Sequence, residues 1–196
     1  MSEWWTYSLS DFLMFTARTY WRLLERYNRD VWPGHLLAIA VGMAVIGCLV
    51  RSRGEKRRSA YLLLGAGWAW VAWAYHLMRY ADINTAAPYF AAGFALQASL
   101  LWIAALRRQP GSASAAGWQV SAGIGIACAG VFAYPLLSLA GGHGWRRAEV
   151  VGIAPDPTVV VTLGVLLATR AHPVLWLLPI LWCAVSGATL VQLQAH

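Results

Sequence analysis

Residues 68–90 read WAWVAWAYHLMRYADINTAAPYF, and the fold turns on how they are understood. The stretch opens as an apolar helix with three tryptophans, Trp68, Trp70 and Trp73, and then reaches His76, Arg79 and Tyr80. Residues 81–87 turn, and apolar sequence resumes at Pro88. Rings and long basic stems gather in this way where a helix passes from hydrocarbon to headgroups, because each has an apolar body and a polar tip. The expected fold class is all-α: a polytopic membrane helical bundle.

Composition agrees. Of 196 residues, 59% are hydrophobic and 12% charged, about half the charged share of a soluble domain. Outward from the central stretch, apolar runs fall at 35–50, 60–78, 87–106, 118–140, 158–170 and 173–192, giving six expected transmembrane helices. The last two come from one apolar region, 158–192. As a single helix it would reach about 52 Å, against roughly 30 Å of hydrocarbon, so a break is placed at Arg170-Ala171-His172-Pro173. The run 158–170 is short. A tilted span is the preferred reading, and five spans plus a re-entrant segment is the alternative.

Residues 1–33 form an expected interfacial segment, and 34–196 the bundle. Residues 8–31 read as an amphipathic helix, with Ser8 and Asp11 resembling a capping box. Tyr20, Leu24, Tyr27 and Val31 share one face, opposite Arg18, Arg22, Glu25, Arg26 and Arg29. Such a helix lies along a membrane surface, or docks on a partner. Trp32-Pro33-Gly34 ends it. No continuous apolar run precedes residue 35, so no cleavable signal is expected.

Charge sets the orientation. Loops 51–59, 107–117 and 170–172 carry Arg51, Arg53, Lys56, Arg57, Arg58, Arg107, Arg108 and Arg170 against Glu55 alone, while the opposite side balances to zero. Short basic loops stay cytoplasmic. Both termini are then on the non-cytoplasmic side. The basic loop needs no nucleic acid to explain it; the expected partners are the lipid bilayer and other membrane subunits or further copies of the chain.

Small residues at four-residue spacing, Ser121, Gly125 and Ala129, and Gly65 with Ala69, predict close helix contacts. Cys48, Cys128 and Cys183 lie singly in apolar runs and read as small buried hydrophobes. No internal repeat is visible, nor a GxSxG, HExxH or phosphate-binding glycine loop.

The unusual polar residues fall at the outer end of the expected bundle. His76 and Tyr80 share a helix face, with Trp73 one turn away. Arg79 and Asn84 occupy the first outer loop. Tyr134 precedes Pro135. Glu149 lies in the second outer loop, which ends Pro155-Asp156-Pro157; there Asp156 is expected to cap the helix that Pro157 starts. Gln97, an amide at mid-membrane depth, needs a partner, most simply another helix. The arginines read as headgroup contacts or partners of Glu149 and Asp82. Together Trp73, His76, Arg79, Tyr80, Asn84, Tyr89, Gln97, Tyr134, Glu149 and Asp156 compose a candidate ligand-binding vestibule. His76 and His143 are the weak metal candidates, and His76 with His35 the weak haem pair, so no cofactor is assigned.

The pieces WTYSLSDFLMF (5–15), RTYWRLLERYN (18–28), VWPGHLLA (31–38), residues 68–97, GIAPDPT (152–158) and LWCAVSGATL (181–190) occur in order. With them the chain resembles a bacterial family of small multi-pass membrane proteins of unknown function. The resemblance implies a helical bundle of the bacterial inner membrane, which would make both outer termini periplasmic, and brings no activity or site residues. Two functions stay open: a small-solute binding or conducting protein using the outer vestibule, and a non-catalytic accessory subunit of a larger membrane complex. No catalytic residue is assigned.

Overall fold

A computed structural model describes residues 15–51, 54–107, 116–140, 142 and 144–195. The described residues are helical, with no strand among them. The helices are α1 (Ala17–Val31), α2 (Gly34–Val50), α3 (Gly54–Trp70), α4 (Ala87–Leu106), α5 (Gly117–Cys128), α6 (Tyr134–Ala140), α7 (Pro155–Ala168) and α8 (Leu177–Ala195). A π-helix, Val71–Leu77, continues α3, and another, Ala129–Ala133, joins α5 to α6.

Three helical runs are long and apolar enough to cross a bilayer: Ala87–Leu106, Gly117–Ser138 and Pro173–Gln192. The pair α1–α2 passes the same test only jointly and is bent by 87°. Helix α7 is apolar but has 14 residues, about 21 Å against some 30 Å of hydrocarbon. The coarse expectation of an all-helical chain with membrane-compatible helices therefore holds, at three spans, or four with the bent pair.

Helix α1 starts later than its periodicity predicts. Thr16 is its N-cap, in extended conformation, and its hydroxyl accepts from the Thr19 N–H at 3.3 Å. A continuous helix across 8–31 is thereby excluded at Thr16, while the Ser8–Asp11 capping box lies outside the described residues. The apolar face is as expected but is spent within the chain: Tyr20, Leu24 and Tyr27 are buried against the bundle. The Tyr27 hydroxyl donates to the Ile153 carbonyl at 3.0 Å, and Asn28 Nδ2 donates to the Arg146 and Ala148 carbonyls at 3.0 and 2.9 Å. Helix α1 thus roofs the segment 145–153, nearly perpendicular to α2.

The most buried helix is the short α7. It meets α5 where neither backbone carries a side chain. A Cβ on Gly164 would lie 2.5 Å from the Gly123 carbonyl oxygen and 2.7 Å from the Ala127 nitrogen. The contact row is Gly123, Ala127 and Gly130, not the expected Ser121–Gly125–Ala129 stripe, for a Cβ on Gly125 meets nothing within 4 Å. Gly123 and Ala127 lie two residues on from Ser121 and Gly125, and the row continues three residues later at Gly130, inside the π turn. At Gly65 the close neighbour is the Trp102 indole, which lies over it and donates to the Leu62 carbonyl at 3.2 Å.

Helix α7 ends in a reverse turn. Arg170 takes a positive φ of 46°, while the Ala171 N–H reaches the Leu166 carbonyl and the Arg170 N–H the Leu167 carbonyl, the Schellman arrangement. The break expected at 170–173 stands, and a 3₁₀ turn, Pro173–Trp176, leads into α8. The cysteines are free, and Cys183 is exposed while Cys48 and Cys128 are half-buried. The expectation of buried cysteines is corrected at Cys183, while Cys48 packs half-buried against the core.

Candidate functional site

Three side-chain donors, from Tyr134, Trp182 and Ser186, converge on Asp156. It stands in the first turn of α7 but does not cap it; the N-cap position is Ala154, with no side-chain capping bond. Thr158 does the local work, accepting from the Gly152 N–H at 2.7 Å and donating to the Ala154 carbonyl at 2.6 Å. Gly152 has φ +76°, a conformation that suits a residue without Cβ. Freed from capping, the Asp156 carboxylate reaches across the bundle. The Tyr134 hydroxyl and Ser186 Oγ donate to Oδ2 at 3.1 and 2.6 Å, and the Trp182 indole N–H donates to Oδ1 at 2.7 Å. Helices α6, α7 and α8 are joined through one carboxylate. No cation pairs with it among the described residues. Its place at a helix N-terminus, where backbone N–H groups leave partial positive charge, offsets part of that lack.

A second carboxylate lies nearby. Glu149 accepts from the Tyr20 hydroxyl at 3.2 Å. Burial, and secondarily the negative charge of Asp156, push its carboxyl from 4.5 up to about 8, with the Tyr20 bond pulling modestly the other way. Beside Asp156 is a cavity of about 20 Å³ lined by Tyr20, Tyr75, Tyr80, Asp156, Trp182 and Ser186, room for one water-sized or monatomic guest; Glu149 does not line it but is tied to its wall through the Tyr20 hydroxyl.

The pKa of Glu149 gives a testable pH dependence. An acid raised on folding favours the native state most below pH 4.5, and that contribution fades as pH climbs to about 8. The thermal midpoint of the wild type relative to Glu149→Gln should therefore fall between pH 5 and 8 and level off above. A difference constant across that range would refute the assignment.

His76 lies beside this centre but does not line the cavity. It is fully buried, closed in by the rings of Phe94 at 4.6 Å and of Tyr75 and Trp182 at 5.1 Å, with Tyr80 and Phe90 beyond. Both ring nitrogens lack a hydrogen-bond partner. The packed rings leave no slot for a porphyrin, so a haem on His76 does not fit. Among the described residues no three His, Cys, Asp or Glu side chains group as a metal site would need; His143 lies outside them.

The other candidates scatter. Gln97 Nε2 donates to the Leu175 carbonyl at 3.0 Å, so its partner is the approach to α8, though its Oε1 is unpartnered. Tyr80 is buried and accepts from Asn84 Nδ2 at 3.0 Å; Asn84 Oδ1 accepts from the Ala86 N–H, closing the outer turn. Arg79 pairs with Asp30 at 2.8 Å and Arg147 with Glu25 at 2.6 Å. The expected arginine partners, Glu149 and Asp82, are therefore replaced by acids of α1. Trp73 and Tyr89 point away, 54% and 79% exposed. Trp73 leaves the His76 face because the wider π turn breaks the 3.6-residue repeat.

Tyr20, Tyr75, Trp182 and Ser186 were not foreseen. Tyr20 was legible only as part of an apolar face, and Trp182 and Ser186 are ordinary residues of a membrane span until Asp156 is placed beside them.

The model of DUF6064, a family of unknown function, matches residues 17–196. The chain belongs to DUF6064. The match begins at the first residue of α1 and includes every helix described above, so the α1 roof and the Asp156 centre both lie in the DUF6064 region. No curated protein and no solved structure matches the chain.

Proposed function

We propose that this DUF6064 protein is a six-span bundle of the bacterial inner membrane that binds or conducts a small, positively charged solute through a polar vestibule on its periplasmic face. The observation that carries this is the Asp156 carboxylate on a cavity lined by hydroxyls and rings, with no balancing cation among the described residues and with Glu149, joined to the cavity wall through Tyr20, near enough to feel its charge. Two acids that repel one another favour a guest that brings positive charge, and a proton is the smallest. In this arrangement α2, α3 with its π-helix, and α7 complete the six spans, and both termini are periplasmic. The short α7 is tolerable because protein rather than lipid surrounds it.

In liposomes, the purified protein should pass protons or small monovalent cations faster than Glu149→Gln. Equal fluxes, together with equal cation binding by the two proteins, would remove the proposal. The accessory-subunit reading is favoured by α8, whose Leu177, Ile180 and Leu181 face outward. A stoichiometric partner retained in mild detergent would support it.

A further inference from the structure

A second site lies along α1 and shares no lining residue with the Asp156 cavity. A groove of about 560 Å³ runs between α1, α2, the end of the α5–α6 span and the 145–150 segment. Its upper end holds Arg29 and Arg146, both exposed and neither in an ion pair with a described carboxylate. Glu25 also borders the groove, but its charge is taken by Arg147 at 2.6 Å. Trp32 and Trp145 flank the opening, 62% and 64% exposed, and the lower arm is Leu36, Ile39 and Pro135. Cationic forks at one end, indoles at the rim and hydrocarbon below reproduce the profile of an amphiphile standing at a membrane interface.

We propose that this groove binds an anionic phospholipid, with its phosphate between Arg29 and Arg146 and an acyl chain along Leu36 and Pro135. Arginine forks match phosphate oxygens, and basic pockets at helix ends select anionic headgroups. The inference rests on the membrane reading of the chain but not on the Glu149–Asp156 vestibule.

The test uses the full chain in mild detergent, with phosphatidylglycerol, phosphatidylcholine of the same chains, or inorganic phosphate. Lipid retention is read by native mass spectrometry and thermal midpoint. Phosphatidylglycerol should be retained and stabilising. Its affinity should weaken about tenfold or more in Arg29→Gln/Arg146→Gln, but not in Arg22→Gln/Arg26→Gln, which removes the same charge outside the groove. Should the first variant fail to fold, Leu36→Trp, which fills the apolar arm from an exposed position, replaces it with the same expectation. Equal retention of the two lipids, equal loss in both double variants, or full stabilisation by inorganic phosphate would each overturn the proposal. Glu149→Gln should keep the lipid, so a failed vestibule and a failed lipid site give different results.

Discussion

Asp156→Ala should destabilise the protein by about 2–4 kcal/mol, whereas Asp156→Asn should cost well under half of that. Alanine strands three donors that now meet one carboxylate, those of Tyr134, Trp182 and Ser186. An unmade buried hydrogen bond costs about 1–3 kcal/mol, less where a hydroxyl can turn to another acceptor. The Trp182 N–H cannot turn. Asparagine keeps an acceptor for it, and its amide N–H groups can donate to the Tyr134 and Ser186 hydroxyl oxygens, which accept as readily as they donate. Removing the Asp156 charge also removes one of the two influences that raise Glu149. In Asp156→Asn the Glu149 carboxyl should therefore lose its proton at lower pH than in the wild type. Unfolding midpoints in mild detergent and carboxyl infrared bands across pH read the two effects. Equal destabilisation by Ala and Asn, with no change at Glu149, would detach Asp156 from the site built around it.

Gly164→Val should be as damaging, by about 3 kcal/mol or more, and Gly125→Val nearly neutral. The first Cβ would press on the Gly123 carbonyl and the Ala127 nitrogen, backbone atoms that move only if α5 and α7 separate. Overpacking of this kind costs about 1–3 kcal/mol where side chains can yield and more where they cannot. The second Cβ meets nothing. Both glycines lie in apolar helices and receive the same β-branched residue, so helix propensity and polarity cancel in the comparison. Thermal midpoints that fell equally would mean that α5 and α7 are not packed on Gly123 and Gly164.

Helix positions were legible because long apolar runs punctuated by Arg, Pro and Gly leave few alternatives. The run at 87–106 coincides with α4 to the residue. The sequence carried less information about rotation around each helix. With apolar residues on every side, no hydrophobic stripe marks which face turns inward, and the Gly125 expectation failed for that reason. The two π turns compound the difficulty by shifting phase inside a continuous helix. Before Pro135 the cause is visible, since proline leaves the carbonyl four residues back without its donor. At Val71–Leu77 no proline marks the change.

Within the candidate site, the chemically unusual residues could be singled out but not their neighbours. Asp156, Glu149 and Tyr134 stand out because polar groups are expensive in an apolar chain. Trp182 and Ser186 do not, being commonplace in membrane helices. The reach of Asp156 into the bundle depends on Thr158 taking over the local turn, a division of labour between two adjacent polar residues that spacing alone leaves open. Amphipathicity likewise located the C-terminal end of α1 at Val31 though not its start at Ala17, and it does not distinguish a face buried in lipid from one buried on the protein's own outer loop.

Everything proposed for Glu149 and Asp156 requires that their loop and the basic α2–α3 loop lie on opposite sides of a membrane. In a background with Cys48, Cys128 and Cys183 replaced by alanine, single cysteines at positions 57 and 146 can be probed in spheroplasts with a membrane-impermeant maleimide. Position 146 should label in intact spheroplasts and position 57 only after lysis. Labelling of both before lysis, or of neither, would contradict the arrangement.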